Sequence, residues 1–424
     1  MHAAAAPQPR WGLTFFPIWV GQALSLLGSQ IAQFAIVWWL TQTTGSGTVL
    51  AVATLVAVVP GVLLGPIAGA LVDRWDRRRV MIAADALSAV AAAALAALFW
   101  SGAIALWHVY LVMFLRSVFG TFHFPAMQAS TSLMVPQDQL ARVSGLNQML
   151  QGAMNIVAPP AGALLLAVLP LHGLMAIDVV TAALAVVPLL FVSIPRPPRA
   201  AEGAPTSVLS DVRAGLDYVR AWRGLSAIMG MSMLINFLLA PAFSLQPLLV
   251  TRHFGGGALE LGWMSSAWWV GILVGGTLLS IWGGFRSRVL TALVALIAMG
   301  AALLLPGLAP AELFWLAVAG LFVGGAMNAL CNGPLFALMQ GVVAPEMQGR
   351  VFTLIGSAGG LMMPLGLVVA GPLSDQFGPQ LWFAVGGVAC IVAAVVGLLS
   401  PAVMGVEQHG EQLAATGRGQ PEGA

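Results

Sequence analysis

The chain has 424 residues, of which 59% are hydrophobic and only 8% are charged. This composition excludes a soluble globular protein and predicts an all-α polytopic membrane protein whose main partner is the lipid bilayer. The formal net charge of +2 gives no indication of a charged partner, so no nucleic-acid contact is expected.

Twelve apolar segments are each long enough to cross a bilayer, since a spanning helix needs about 20 residues. Charged residues, glycines and prolines set their limits. The even number of segments predicts that both termini lie on one side of the membrane. The predicted spans are residues 14–41, 48–72, 79–100, 105–128, 143–167, 171–194, 224–250, 259–283, 288–308, 311–339, 350–373 and 380–401.

The basic residues are distributed unevenly between the two sides of this predicted topology. All 17 are arginines, and with loop 73–79 placed in the cytoplasm, 15 lie inside, Arg252 lies outside and Arg116 lies within a span. Cytoplasmic loops of membrane proteins carry an excess of basic residues. We therefore expect a multi-pass protein of the cytoplasmic (inner) membrane with both termini in the cytoplasm.

The order of the segments predicts two six-helix bundles joined by a cytoplasmic linker. The linker begins with a run of prolines and arginines, and its later apolar residues have helical spacing among charges, which predicts an amphipathic helix on the cytoplasmic membrane surface. Loops 136–143 and 345–351 are weak internal repeats of each other. The predicted regions are a cytoplasmic N-terminus (1–13), an N-terminal six-helix bundle (14–194), the linker (195–223), a C-terminal six-helix bundle (224–403) and a disordered cytoplasmic tail (404–424).

A burst of charge, Gly69-Ala-Leu-Val-Asp-Arg-Trp-Asp-Arg-Arg-Arg79, separates the second and third spans. Gly61, Gly65 and Gly69 recur every four residues on one helix face, which predicts the close approach of another helix. The acid at the end of that helix is expected to be paired or hydrogen-bonded, because an unpaired charge near hydrocarbon is costly. The arginines either only anchor the loop on the cytoplasmic face or also act in a conformational latch. The predicted switch residues are Gly69, Asp73, Arg74, Arg77 and Arg78.

Within this hairpin the pattern Gly69-x-Leu71-x-Asp73-Arg74-x-x-Arg77-Arg78 resembles the loop signature that the major facilitator superfamily carries between its second and third helices. Asp76 stands where that signature usually has glycine, and loop 283–288 is a faded copy of the same loop. The resemblance covers nearly the whole chain. It implies two pseudo-symmetric six-helix bundles with a substrate site between them near the bilayer midplane.

The same loop, Asp85 after it and the start Gly21-Gln22-x-x-Ser25-x-x-Gly28-Ser29 are similar to one branch of the superfamily, which contains macrolide-efflux and siderophore-exporter proteins. This similarity implies a drug:proton antiporter and a role in multidrug resistance.

Four ionisable residues inside predicted spans are candidates for proton coupling: Arg116, Asp85, Asp178 and His123. The run Leu115-Arg116-Ser-Val-Phe-Gly120 resembles the helix-4 motif of proton-coupled members of the superfamily, with Phe119 in place of the usual glutamine. An arginine within a span faces a cavity or a partner, because exposure to lipid is costly. His123 shares its helix face, where the imidazole either titrates or only packs. For Asp85 the alternative is a structural pairing with the loop arginines.

The fifth span contains a run that is similar to the glycine-proline motif of antiporters in the superfamily, with alanine before the first proline. Adjacent prolines remove backbone hydrogen bonds, and small neighbours allow close packing. The run therefore predicts either a hinge or seal of the pathway or an ordinary kinked helix. Its residues are Gly152, Ala158, Pro159, Pro160 and Gly162.

Uncharged polar residues form stripes on several spans and predict a cavity with hydrogen bonds but little fixed charge. Such a cavity suits a small hydrophobic or amphiphilic substrate, although some of these residues serve only to hold helices together. The candidate cavity residues are Gln22, Ser29, Gln33, Gln151, Asn155, Asn236, Asn328 and Asn332.

No catalytic, cofactor-binding or metal-binding pattern is present, and a chain without lysine cannot contain a nucleotide-binding P-loop. Cys331 and Cys390 form no recognisable spacing, so no disulfide is expected. We predict a monomeric secondary transporter that exports its substrate in exchange for protons by alternating access, not an enzyme. The alternatives are a proton-coupled uptake symporter for a small metabolite and a non-transporting membrane sensor.

Overall fold

The computed structural model describes residues 11–192 and 208–408, and within these ranges every regular element is a helix. The all-α prediction is therefore confirmed for the described chain. Most of the predicted N-terminus (1–13), the first part of the linker (193–207) and most of the predicted tail (409–424) lie outside the described residues.

Among the described residues, twelve helices are long and apolar enough to span a membrane, as the sequence predicted. In chain order the helices are α1 (Trp11–Thr44), α2 (Gly47–Val72), α3 (Arg77–Ser101), α4 (Leu106–Met134), α5 (Leu140–Val168), α6 (Leu171–Phe191), α7 (Val208–Ala221), α8 (Arg223–Ser244), α9 (Gln246–Leu248), α10 (Ala258–Trp282), α11 (Arg288–Leu308), α12 (Phe314–Val342), α13 (Pro345–Phe377), α14 (Gln380–Leu399) and α15 (Pro401–Met404). The spanning helices are all of these except α7, α9 and α15.

One predicted span is not a single continuous helix. Residues 224–250 were expected to form a single helix, but α8 ends at Ser244 and the chain continues through α9 into a π-helix at Leu249–His253. Pro247 explains the break, because a proline removes a backbone donor and its ring collides with the preceding turn, whereas Pro241 lies inside α8. The break leaves Gln246 buried at the interruption.

The helices divide between two compact units. The first comprises residues 1–43 and 55–201, and the second comprises residues 44–54 and 202–424. The first turns of α2 therefore group with the second unit, which the sequence-based boundary at residue 194 did not predict.

The core at one end of the first unit is made of large apolar side chains. Phe15, Ile18, Met81 and Leu189 are each 0% exposed and belong to one cluster. Because they come from α1, α3 and α6, this cluster fixes the ends of those helices next to loop 73–76. Asp76 starts α3 by accepting a hydrogen bond from the Arg79 amide at 3.2 Å.

Glycines bring the helices of the second unit into direct backbone contact. A Cβ atom on Gly275 of α10 would overlap the Ala326 carbonyl oxygen of α12, and one on Gly325 would overlap the Trp268 carbonyl oxygen. In lipid, helices associate largely through such close van der Waals packing, since no hydrophobic effect drives them together. The α10–α12 contact therefore depends on glycines, which have no side chain to hold the two backbones apart.

Helix α7 packs its described apolar side chains on protein. Tyr218, Val219 and Trp222 are buried in one cluster with Val343 and Val351, and the Tyr218 hydroxyl accepts a hydrogen bond from the Ala344 amide at 3.2 Å. The prediction of a helix resting on the membrane surface did not anticipate this partner. Contacts with α13 satisfy the apolar face that was expected to meet lipid.

Two further expectations are corrected by the described residues. Within the first unit no described atom lies within 4 Å of the positions where Gly65 and Gly69 would carry a Cβ, so the glycine face of α2 makes no close helix contact there. The predicted tail begins too early at residue 404, because Glu407 accepts hydrogen bonds from the Ser287 hydroxyl at 2.9 Å and the Arg288 amide at 3.2 Å. This carboxylate compensates the donors at the start of α11.

Two adjacent glycines of α10 test the packing account. Gly275→Ala places a methyl group against the Ala326 backbone, so we expect a loss of about 3 kcal/mol or more in the free energy of unfolding. Gly276 has no described atom within 4 Å of a Cβ, so Gly276→Ala should leave stability unchanged or raise it by up to about 1 kcal/mol. Thermal melting of the detergent-solubilised variants measures both, and equal effects would contradict the account.

Candidate functional site

A buried charge pair lies between α4 and α6. The Arg116 guanidinium donates to Asp178 Oδ2, and the Ser29 hydroxyl of α1 donates to Asp178 Oδ1 at 2.9 Å. Asp178 is 2% exposed. A buried carboxylate needs such partners, because removing either charge leaves the other without compensation. Both carboxylate oxygens are occupied, so three helices of the first unit meet at this one group.

A second acid, Asp85 of α3, lies beside a histidine and a glutamine. The Gln22 side-chain amide donates to Asp85 Oδ2 at 2.8 Å, and His123 Nε2 lies 3.3 Å from Asp85 Oδ1. His123 Nε2 is buried and has no hydrogen-bond partner among the described residues, so its contact with the carboxylate is electrostatic rather than a directed hydrogen bond. Such a contact depends directly on the charge of the imidazole.

The two acids occupy successive levels along the same helices. Gln22 and Ser29 are seven residues apart on α1, and Arg116 and His123 are seven residues apart on α4. Two helical turns separate the members of each pair by about 10 Å along the axis. The described contacts pair Arg116 with Asp178 and His123 with Asp85, whereas the loop arginines that were an alternative partner for Asp85 bind elsewhere.

Helices α1 and α5 are joined by further polar contacts. Trp19 Nε1 donates to Asn147 Oδ1 at 2.7 Å, and Gln30 Nε2 donates to Asn155 Oδ1 at 3.4 Å. Trp19, Asn147 and Gln30 were not among the predicted site residues. Gln30 precedes the predicted Gln33 by about one turn, so the sequence stripe indicated this region of α1 but not the residue that makes the contact.

The proline-containing stretch of α5 remains helical. Pro159 and Pro160 lie inside Leu140–Val168, and Ala158 is 2% exposed. A Cβ on Gly162 would lie 3.0 Å from Phe34 Cδ1 of α1, whereas Gly152 has no described neighbour within 4 Å in the first unit. Gly162 is therefore the point of close packing in this motif.

The arginines of loop 73–79 bind the ends of neighbouring helices. Arg77 donates to the Ala129 carbonyl at 3.1 Å and lies 3.4 Å from the exposed Asp73 carboxylate. Arg78 donates to the Leu189 and Leu190 carbonyls of α6. Leu189 and Leu190 lie among the last four residues of α6, whose carbonyls lack intrahelical donors, so a cation is favourable there. Arg74 is exposed.

The second unit repeats one of these contacts. Arg288, which begins α11, donates to the Ala337 carbonyl of α12 at 3.0 Å. This matches the contact that Arg77, which begins α3, makes with Ala129 of α4. Loop 283–288, the weak copy of loop 73–79, therefore keeps the same arginine-to-carbonyl contact.

The predicted polar residues of the second unit hydrogen-bond mainly within their own helices. Asn236 donates to the Ser232 carbonyl at 2.9 Å, and Asn332 donates to the Asn328 carbonyl at 3.1 Å. Asn236 and Asn332 are exposed, as is Gln151 of α5, while Asn328, Gln33 and Asn155 are half-buried.

Neither a metal centre nor a disulfide is present among the described residues. No group of three histidine, cysteine, aspartate or glutamate side chains could hold a metal ion there. Cys331 and Cys390 are free and buried.

Comparisons with known proteins identify the family. Residues 5–413 match the family described as transmembrane secretion effectors. The chain is 35% identical over 386 residues to macrolide efflux protein A of Streptococcus pyogenes, which covers 91% of this chain and 95% of that protein. It is 29% identical over 397 residues to the multidrug efflux pump Tap of Mycolicibacterium fortuitum, covering 88% and 92% respectively.

A solved structure of the nucleoside transporter NupG has the same fold. Its TM-score to this chain is 0.67 at 16% sequence identity, and the match covers 89% of this chain and 98% of that one. The predicted twelve-helix architecture of the major facilitator superfamily is therefore confirmed.

Removal of one partner tests the buried charge pair. Arg116→Ala leaves the Asp178 carboxylate uncompensated, so we expect a loss of about 3 to 5 kcal/mol in stability. The double variant Arg116→Met with Asp178→Leu removes both charges and should recover most of that loss. Thermal melting in detergent distinguishes these cases, and a double variant as unstable as the single one would contradict the pairing.

Proposed function

Since the chain belongs to the transmembrane secretion effector family of the major facilitator superfamily and is an efflux transporter, we propose that it exports hydrophobic or amphiphilic compounds, macrolides among them, in exchange for protons. The relatives of this family are transporters rather than enzymes. Similarity to a macrolide efflux protein over 91% of the chain supports this substrate class. Siderophore export stays a prediction.

The observation that carries the proton exchange is the group formed by His123, Asp85 and Gln22. The His123 and Asp85 side chains are 20% and 11% exposed, although the His123 Nε2 atom itself is buried. A proton taken up by the carboxylate removes its negative charge, and a proton lost from the imidazolium removes the positive one. Either step ends the electrostatic attraction between α3 and α4.

Gln22 gives this proton step a structural consequence. Its amide holds α1 to the Asp85 carboxylate at 2.8 Å, and a neutral carboxyl group is a weaker acceptor than a carboxylate. Protonation of Asp85 therefore weakens the α1–α3 contact and the α3–α4 contact at the same time. In this proposal the change of protonation biases the equilibrium between inward- and outward-facing states.

Arg116 and Asp178 have a different role. Both oxygens of Asp178 are occupied, and the residue is only 2% exposed. We assign this pair to holding α1, α4 and α6 together throughout the cycle. Ser29 and Gln22 then belong to the charged groups rather than to the substrate cavity.

The remaining polar candidates are assigned to substrate recognition. Their carboxamides are exposed or half-buried and carry no charge. They can donate hydrogen bonds to a bulky ligand and accept hydrogen bonds from it. This set is Gln33, Gln151, Asn155, Asn236, Asn328 and Asn332.

Alternating access by a monomer in the inner membrane, with both termini in the cytoplasm, completes the proposal. The excess of arginines in the loops of the 73–79 side supports that orientation. Loop 73–79 is assigned as a conformational switch, since Arg77 and Arg78 already connect three helix ends. Relatives named for efflux favour export over the uptake and sensor alternatives.

Transport in proteoliposomes tests the proton exchange. With a macrolide as substrate and an imposed pH gradient, His123→Gln and Asp85→Asn should lose gradient-driven export by about 100-fold, as expected for removal of a proton-transfer group. Macrolide affinity should change by less than about threefold, because neither residue is assigned to the substrate cavity.

Matched controls exist for both substitutions. His172→Gln at the start of α6 and Asp138→Asn in the exposed turn before α5 remove the same groups outside the site. Both should export at the wild-type rate. Gradient-driven export that persists in His123→Gln and in Asp85→Asn would overturn this assignment of the proton step.

A further inference from the structure

Asp375, near the end of α13, caps the beginning of α2. Its carboxylate accepts hydrogen bonds from the Gly47 amide at 2.6 Å and the Thr48 amide at 3.1 Å. It also accepts from the Thr48 hydroxyl at 2.7 Å and the Ser46 hydroxyl at 3.0 Å. The first amides of a helix lack intrahelical acceptors, and a carboxylate at that end is favourable. One side chain therefore supplies the cap of a helix 328 residues away in sequence.

The two helices touch closely below this cap. A Cβ on Gly47 would lie 2.9 Å from Ser374 Cβ, and one on Gly371 would lie 3.0 Å from Ala51 Cβ. Ser374 is 0% exposed, although Asp375 next to it is exposed. The contact between the two helices thus consists of a small buried face with solvent-exposed hydrogen bonds at its edge.

The contact groups the start of α2 with the second unit. Residues 44–54 belong to that unit, whereas the rest of α2 from Leu55 belongs to the first. A transporter of the alternating-access kind changes the relation of its two bundles in every cycle. A helix divided in this way cannot keep both sets of contacts throughout the cycle.

We propose that Asp375 is a positioning residue for transport, whose cap on α2 forms in one state of the cycle and opens in the other. The inference rests on the proposed function, since it takes alternating access as given. The start of α2 is the end of that helix opposite to loop 73–79, so in the proposed orientation the cap lies on the outer side.

The chemistry of the cap suits a contact that must open repeatedly. Its carboxylate is exposed, so water can replace the hydroxyl and amide donors at little cost. The packed face beneath consists of glycines, an alanine and a serine, which bury little apolar surface. Opening therefore requires no disruption of a large apolar core.

A buried cysteine probe measures opening without substrate or protons. Ser374→Cys is nearly isosteric and is covered by the start of α2, so its reaction with a membrane-impermeant maleimide reports the open cap. Cys331 and Cys390 are replaced by alanine in all variants. Asp375→Ala should raise the labelling rate about tenfold, and Thr48→Val about threefold, since a helix cap is lost or weakened.

The control and the transport readout separate this inference from the proposed function. Asp138→Ala, which removes an exposed acid outside the cap, should label at the wild-type rate. Asp375→Asn, which keeps one acceptor oxygen, should lie between wild type and Asp375→Ala. In proteoliposomes Asp375→Ala should slow maximal macrolide export with unchanged macrolide affinity.

The outcomes are distinct. Faster labelling in Asp375→Ala and Thr48→Val supports the cap even if no compound is exported, in which case only the proposed function fails. Unchanged labelling in both variants, with macrolide export intact in the wild type, would overturn the cap and leave the proposed function standing. Thr48→Val preserves the carboxylate and the backbone, so the test survives if Asp375→Ala does not fold.

Discussion

A charge inside a membrane is tolerable only when a partner neutralises it, and this constraint organises the first unit. Asp178 is almost fully buried and is matched by Arg116 and Ser29. Asp85 is matched by His123 and Gln22 one level away. Because each acid takes partners from α1 and α4, the pairing fixes those helices against α3 and α6. In the proposed function one of these two groups, His123 with Asp85, is also the group that exchanges protons.

The second unit is held together by a different kind of contact. Gly271, Gly275 and Gly325 let α10 and α12 meet backbone to backbone, and Gly300 and Gly387 do the same for α11 and α14. Such contacts carry no charge and do not change with pH. In the proposed cycle the first unit is therefore the part that senses protons, and the second acts as a rigid body on which α2 is capped.

Much of the fold could be predicted from hydropathy alone, because long apolar segments have no soluble alternative. Arg116 was identified as a candidate because a single arginine within a membrane span is costly unless it faces a partner or a cavity. Its partner could not be identified, since both Asp85 and Asp178 lay at plausible depths and only the packing of α4 against α3 and α6 distinguishes them. Gln22 and Ser29 were recognised as polar from the sequence. That they donate hydrogen bonds to carboxylates depends on how the helices pack, which the residue spacing along α1 does not reveal.

Other features had weak or hidden signals. The break after Ser244 was marked by Pro247, yet prolines elsewhere, such as Pro159 and Pro241, lie inside continuous helices. Asp375 falls just beyond the predicted span 350–373 and was not among the candidate site residues. Its donors at Ser46, Gly47 and Thr48 are more than 300 residues away, so local sequence reasoning could not connect them.

The measurement that tests the central claim most directly is proton release on substrate binding. A macrolide is added to the purified protein in detergent and a weakly buffered solution containing a pH indicator, over a series of starting pH values. If the His123–Asp85 group exchanges protons for substrate, the wild type releases protons over part of that series and the variant lacking both ionisable groups, His123→Gln with Asp85→Asn, releases none. Saturating macrolide binding without proton release from the wild type at any pH would contradict coupled exchange.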